Sequence, residues 1–313
     1  MTDIICGVDV AADLLEACLG PGPGPAHRFA NTADGIATLA AFCRHHQVGL
    51  LVMEATGGYE HLAFGLLCQQ GIPVAIVNPR AVRCFAQAMG LPEKTDRIDA
   101  GVIAWYAQTK HVVPQPPASE TQQRLDAAVT RLRQLTDTRV AQRNQRRLVT
   151  DPDICADFDT LIALLTAQIR SLERRIAQLI AADPLWAALD RAFRTIKGVA
   201  DRTVGRLVAE MPEIGTLSNK AIAKLAGLAP IANDSGKHAG RRAIRGGREE
   251  VRSILFIVAE VVRRHEPDFR DFAQRLKAAG KPPKVIRVAL AHKLLVRLNA
   301  KARDVRNSSP CTP

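Results

Sequence analysis

Between residues 4 and 108 the chain switches repeatedly between strand and helix periodicity, and the order of those switches restricts the fold more than any other feature. Ile4–Val10 (IICGVDV) and Leu14–Leu19 (LLEACL) read as strands. The Pro/Gly run 21–25 reads as a turn, after which His27–Asn31 is extended again. Short turns between three strands make an antiparallel meander. Thr32–His46 is helical, with Ile36, Leu39, Ala40 and Cys43 on one face and Thr32 as N-cap. Leu50–Met53 and Pro73–Val77 are short buried strands. Between them Tyr59–Gln70 is a helix closed by Gly71. Pro79 opens a further helix at a position where proline fits, and Asp96–Gln108 is the last. The order β-β-β-α-β-α-β-α-α predicts a mixed sheet flanked by helices.

That order is the one found in the ribonuclease H fold, an analogy that the site residues must support. Four carboxylates stand where they could. Asp9 lies in the first strand, Glu54 just past the fourth, and Asp96 and Asp99 three residues apart at the start of the last helix. Spacing of three puts a pair on one helical face, where like charges repel unless something positive lies between them. A divalent cation is one answer; solvent with Lys94 and Arg97 is another. Two-metal phosphoryl transfer needs several hard oxygen ligands close together, and Asp and Glu are the right residue types. Each acid also has an ordinary reading: Asp9 as a strand-end turn residue, Glu54 as the cap of the next helix, Asp96 as a dipole-favoured N-terminal acid, and Asp99 as a solvated one.

The rest of the chain reads as helical. The Pro-rich stretch 111–119 (HVVPQPPAS) is a linker. Leu165, Ile169, Leu172, Ile176 and Leu179 form a short seam of coiled-coil type, and Leu125, Val129, Leu132 and Leu135 form a matching stripe on an opposing arm. Two antiparallel helices joined near residue 151 fit this pattern, either packed on their own domain or serving as a dimerisation arm. The expected organisation is an α/β domain over 1–112, a helical coiled-coil region over 119–182, a helical domain over 184–306 and a disordered tail over 307–313.

Charge narrows the function. The 313 residues carry a formal net charge of +12 and a pI of 9.8, with most of the Lys and Arg excess after residue 120. A protein this basic most often meets nucleic acid. Seven cysteines, an odd number without a C-x-x-C pair, predict a reducing cytoplasm, no disulfide framework and no zinc site. The start MTDIICGVDV lacks the features of a signal peptide, and no run of apolar residues is long enough for a membrane span.

A second constellation lies at 229–248 (APIANDSGKHAGRRAIRGGR). Asp234-Ser235-Gly236 is turn chemistry that presents a hydroxyl. Lys237, Arg241, Arg242, Arg245 and Arg248 supply phosphate-binding charge, and Gly246 and Gly247 allow close backbone approach. Ser235 is either an activated nucleophile or a turn residue in a basic phosphate clamp. Residues 196–200 (IKGVA) before a helix at Thr203–Met211 resemble a weak helix-hairpin-helix, whose N–H groups suit a phosphate, or a plain interhelical turn.

Gly7-Val8-Asp9-Val10, Met53-Glu54-Ala55-Thr56-Gly57-Gly58-Tyr59 and Lys94-Thr95-Asp96-Arg97-Ile98-Asp99-Ala100, followed by Gly227-Leu228-Ala229-Pro230 through Asp234-Ser235-Gly236-Lys237, Gly240, Arg242, Ile244 and Gly246-Gly247-Arg248, resemble the motifs of DEDD insertion-sequence transposases. These are related to Piv-type DNA invertases and include bridge-RNA-guided recombinases. The resemblance covers nearly the whole chain in the expected order. It implies a RuvC-like N-terminal domain, a coiled-coil middle and a C-terminal transposase domain. It implies that Asp9, Glu54, Asp96 and Asp99 bind Mg²⁺ and that Ser235 attacks a DNA phosphate to form a covalent link. It further implies a noncoding bridge RNA that pairs with donor and target DNA, and dimers assembling to a tetramer with sites shared between protomers. The sequence departs from the pattern: Ala11-Ala12 replace the usual Ser-Lys, Leu14-Leu15 stand in the strand that is usually polar, Ile196-Lys197-Gly198-Val199-Ala200 replaces the usual Ile-Pro-Gly-Val-Gly, and the middle region is short.

Overall fold

Five strands and four helices build the N-terminal part of the chain. In order they are β1 (Ile4–Val10), β2 (Leu14–Leu19), β3 (His27–Ala30), α1 (Ala33–His45), β4 (Val48–Glu54), α2 (Glu60–Gln69), β5 (Val74–Val77), α3 (Pro79–Ala88) and α4 (Asp96–Lys110). The sheet order is β3-β2-β1-β4-β5. β2 pairs antiparallel with β1 and β3, while β4 pairs parallel with β1 and β5. This is the mixed sheet of ribonuclease H type that the periodicities predict. The computed structural model describes residues 4–22, 24–91, 96–234, 236, 240 and 242–308, with backbone alone at 96–98. The chain divides into two compact units, 1–118 and 119–313.

Strand alternation decides which face each residue serves. Cys6, Val8, Val10, Leu15, Ala17, Leu51 and Met53 share one core with Ile36, Leu39, Ala63 and Leu67 of α1 and α2. Leu50, Val52, Ala75 and Val77 share another with Val82 and Ala86 of α3 and Val102 and Ile103 of α4. Asp9 and Glu54 alternate with the first set, so both belong to the α3/α4 face. Thr32 caps α1 by accepting from the Gly35 N–H, and Asn78 caps α3, which starts with Pro79.

Helix α4 lies against β1 at Gly7. A Cβ there would sit 2.0 Å from the Ala100 carbonyl oxygen and 2.6 Å from the Ala104 nitrogen. Only glycine permits this approach, and both alanines are fully buried in it. The contact fixes the first turns of α4 over the middle of β1.

The second unit is helical: α5 (Glu120–Arg146), α6 (Pro152–Ala182), α7 (Pro184–Arg194), α8 (Asp201–Glu210), α9 (Asn219–Leu225), α10 (Glu249–His265), α11 (Pro267–Ala278) and α12 (Pro283–Ser308). Ser119 and Asp151 cap α5 and α6. Most of the predicted seam is buried: Leu125, Val129, Leu132 and Leu135 of α5 share a core with Leu165, Ile169 and Ile176 of α6, while Leu172 and Leu179 are half-buried against it and Ile180, outside the predicted set, joins it. These residues share one core with Leu189, Phe193, Leu207, Leu255 and Leu298 of the later helices. The seam is therefore filled within the unit. Towards the α5–α6 turn the arm leaves Val140, Leu148, Leu161 and Leu164 exposed. Asn299, fully buried on α12, accepts from the Gly215 N–H at 2.8 Å and donates to the Leu217 carbonyl at 3.0 Å, tying the α8–α9 loop to the last helix. That helix runs through Asn307 and Ser308, whose hydroxyl donates to the Asp304 carbonyl at 2.8 Å. The expected disordered tail from 307 thus begins inside a helix, and 309–313 lie outside the described residues.

At the hairpin between α7 and α8, the Lys197 N–H donates to the Glu266 carboxylate at 3.0 Å. One donor expected to meet phosphate is held by an internal acid. Further on, the segments 225–227 and 246–248 cross backbone to backbone. Gly227 and Gly247 both have positive φ, and a Cβ on Gly247 would lie 2.3 Å from the Gly227 nitrogen. The Arg248 N–H donates to the Leu225 carbonyl at 2.8 Å. The Arg248 guanidinium grips both Glu213 carboxylate oxygens at 2.5 and 2.6 Å and the Glu210 carbonyl at 2.9 Å. Burial pushes the Glu213 carboxyl up, and the Arg248 hydrogen bonds more than offset this, leaving it below its ordinary range.

Two outcomes are expected. Replacing Gly7 with Val should destabilise the chain by about 1–3 kcal/mol or more, because α4 has no room to retreat; urea unfolding measures this. Arg248→Met should cost about 1–2 kcal/mol, the part exposure of both partners keeping the figure low. Because the folded Glu213 carboxyl titrates below its unfolded value, the pair's contribution is present above the unfolded carboxylate range. It is lost as pH falls through the folded value. Wild type should therefore lose more stability towards acid than Arg248→Met does.

Candidate nuclease-type cleft and basic loop

Three of the four predicted acids line one cleft of about 610 Å³. Asp9 comes from the end of β1, Glu54 is the last residue of β4, and Asp99 stands in the first turns of α4. Each is half-buried. Adjacent parallel strands deliver the first two, and the Gly7 contact delivers the third. Asp96 opens α4 one turn earlier, and its side chain lies outside the described residues.

The loops at the rim are held from below. The Asn31 side-chain amide donates to the Ala11 carbonyl at 3.0 Å and the Tyr59 carbonyl at 3.2 Å, joining the β1–β2 turn to the loop after β4. Glu60, a buried acid at the start of α2, accepts from the Thr56 and Gly58 N–H groups at 2.9 Å each. Glu60 thus does the capping work that the pattern of residues also allowed for Glu54, and Glu54 lines the cleft.

Among the described residues no group of three or more His, Cys, Asp or Glu side chains is drawn together closely enough to hold a metal ion. The donors nevertheless suit a hard cation: the acids lining the cleft offer only carboxylate oxygens, with no Cys or His beside them. Mg²⁺ keeps several waters and usually takes one or two carboxylates plus substrate phosphates, so an open arrangement fits it better than a cage does. Sequence reasoning did not single out three further residues of the lining. Arg80 and Arg83 of α3 bring positive charge to the wall, and Glu16 of β2 adds another acid. A signal for Glu16 was present: it is the single acid in the apolar run LLEACL, in the strand that follows Asp9 by one turn. Ala11 and Ala12, which replace the usual Ser-Lys, line the same cleft.

In the second unit, Ile231 and Ala243 form an antiparallel bridge, the Ile231 N–H donating to the Ala243 carbonyl at 3.0 Å. The bridge pins both ends of the loop that contains Ser235. Ser235, Lys237 and Arg241 lie outside the described residues. Around them Asp234, Gly236, Arg242, Arg245, Gly246 and Gly247 are exposed. Arg242 approaches Asp234 at 3.9 Å, with both side chains largely in solvent, so this pair holds little energy. Arg245 and Arg242 face outward, while Arg248 is committed to Glu213. A larger cavity of about 690 Å³ lies among α5, α6, α7, α8 and α10. Of its four lining acids, Glu173, Asp190 and Asp201 are paired with Arg202 and Arg194, and the fourth is Asp137.

Comparison with known proteins follows this division of labour. A family model for DEDD transposases of IS110 type matches residues 6–150, which carry the acidic cleft. A second, described as the transposase IS116/IS110/IS902 family, matches residues 190–274, which carry the basic loop. The pilin gene-inverting proteins of Moraxella bovis and Moraxella lacunata are each 28% identical over 98% of this chain and 98% of their own length. An uncharacterized 43.6 kDa protein of insertion element IS110 from Streptomyces coelicolor is 31% identical over 46% of this chain and 36% of its own. Among solved structures, T. thermophilus RuvC in complex with a Holliday junction substrate matches at 14% identity and a TM-score of 0.25, covering 36% of this chain and 99% of that one. With both transposase models matched in order and relatives aligned from end to end, the chain belongs to the IS110 family of transposases, enzymes of DNA recombination.

Proposed function

We propose that this transposase cuts and rejoins DNA through a covalent serine–DNA intermediate, with Ser235 as nucleophile and a divalent cation, Mg²⁺, held by Asp9, Glu54, Asp96 and Asp99. The observation that carries the reading is the meeting of Asp9, Glu54 and Asp99, far apart in sequence, on one cleft. The pilin gene-inverting relatives, named for a DNA rearrangement, support recombination over simple degradation.

The chain's own residues divide the work. The carboxylates hold the cation, which when bound supplies charge to the phosphate being attacked and the oxygen leaving it. Arg80 and Arg83 orient the phosphate backbone on the cleft wall. They offer the positive charge that the residues at Ala11-Ala12 do not. On the basic loop, Lys237, Arg241, Arg242 and Arg245 bind phosphate, and Gly246 and Gly247 let the backbone approach it. Arg248 anchors the loop's end through Glu213.

In the step itself the Ser235 O–H bond breaks and an Oγ–P bond forms. The bond from phosphorus to the leaving deoxyribose oxygen breaks, and that oxygen takes a proton. One phosphodiester replaces another, so the linkage is conserved and rejoining needs no external energy source. A bridge RNA paired with donor and target DNA supplies sequence choice, which suits a basic protein that can hold duplex backbone without reading it. Dimers assembling to a tetramer bring the acidic cleft of one protomer to the Ser235 loop of another.

Strand cleavage assayed with Mg²⁺, the element's flanking RNA and labelled duplexes tests this. Ser235→Ala and Asp99→Asn should each lower cleavage roughly 100-fold or more while gel-shift binding of DNA survives. Chelation of the cation should abolish cleavage by wild type. Normal cutting by Ser235→Ala, with loss only in Asp99→Asn, would mean that water is the nucleophile and the protein a hydrolase.

A further inference from the structure

Asp9 does not face the cleft alone among its strand neighbours. Across the antiparallel pairing of β1 and β2 it stands directly opposite Glu16. Glu16 in turn stands opposite Arg28 on β3. On the other side the parallel pairing of β1 and β4 reaches Val8 against Met53, so Asp9 and Glu54 come next in that register. Arg28, Glu16, Asp9 and Glu54 thus form one row across four strands, on the face that α4 covers. Directly opposed residues in a sheet have Cβ atoms about 5 Å apart, and like charges there destabilise the pairing.

Glu16 is 4% exposed and lines the same cleft as Asp9, Glu54 and Asp99. Its Oε1 accepts from the Arg28 guanidinium at 2.6 Å. Its Oε2 is buried and has no hydrogen-bond partner among the described residues. A cross-strand ion pair of structural kind accounts for Oε1 and leaves Oε2 unexplained. Arg28 itself is 73% exposed at the side chain, so it offers Glu16 only weak compensation. A buried carboxylate with half its oxygens unpartnered, set against a second carboxylate, costs stability unless a cation stands nearby.

We infer that Glu16, a fourth acid lining the cleft beside Asp9, Glu54 and Asp99, joins Asp9 in holding the divalent cation through Oε2, while Arg28 restrains it through Oε1. The inference rests on the metal-dependent reading of the cleft and adds a residue outside the DEDD set. In it Arg28 competes with the cation for the Glu16 charge. Removing the arginine therefore frees an oxygen donor and takes away a positive charge, and both changes favour the cation.

Mn²⁺ binding to the full chain, measured by calorimetric titration without nucleic acid, tests this apart from activity. Far-UV circular dichroism checks folding. Glu16→Gln should weaken Mn²⁺ binding about tenfold or more, as should Asp9→Asn, whereas Arg28→Gln should tighten it several-fold. Unchanged binding by Glu16→Gln alongside loss in Asp9→Asn overturns the role of Glu16 and leaves the metal reading standing. Wild-type affinity in Asp9→Asn and Asp99→Asn, or no binding by wild type, overturns the metal reading and this inference with it. Should Glu16→Gln fail to fold, Arg28→Gln decides: tighter binding supports the inference, and unchanged or weaker binding contradicts it.

Discussion

The close contact of α4 with Gly7 is the constraint on which the acidic cleft depends. Without a side chain at that position, the Ala100 carbonyl can settle onto β1 at a distance no Cβ would tolerate. Asp99 stands one residue before Ala100, so the depth of that contact sets where it enters the cleft that Asp9 and Glu54 also line. The two strand residues need no such device, because adjacent parallel strands and a period of two bring them together. One helix–sheet contact therefore adds a third acid to the cleft that two neighbouring strands line.

At the rim of the cleft, buried polar groups hold the loops in place. Glu60 satisfies two backbone donors of the loop after β4, and Asn31 ties that loop to the turn after β1. Those donors are met without Glu54, which lines the cleft. The second unit uses the same logic. Glu213 and the Glu210 carbonyl take the Arg248 guanidinium, and Glu266 takes an N–H of the α7–α8 hairpin. Among the described residues near Ser235, Arg242 and Arg245 keep their positive charge in solvent.

Much of this was legible in the sequence because it follows from local pattern. The runs at 4–10 and 14–19 marked β1 and β2 at their observed bounds, the buried run Leu50–Met53 marked only the middle of β4, and Thr32 and Pro79 marked helix starts correctly. Asp9, Glu54 and Asp99 could be placed at strand and helix ends from the same patterns. Glu16 was missed because its meaning lies in cross-strand register, which periodicity along one strand does not reveal. Arg248 read as a phosphate ligand because its partner Glu213 is remote in sequence and reaches it only through tertiary packing. The tail from 307 read as disordered on polarity alone, whereas helix α12 carries its first two residues in continuous hydrogen bonding.

Whether a protein hydroxyl or water attacks the DNA phosphate separates a recombinase from a hydrolase. Peptide mass spectrometry of the protein after reaction with labelled duplex and nuclease trimming tests this most directly. Attack by the protein predicts a nucleotide remnant on the peptide that contains Ser235, at that residue. Cut DNA with free terminal phosphates, and no peptide carrying a nucleotide, would contradict it.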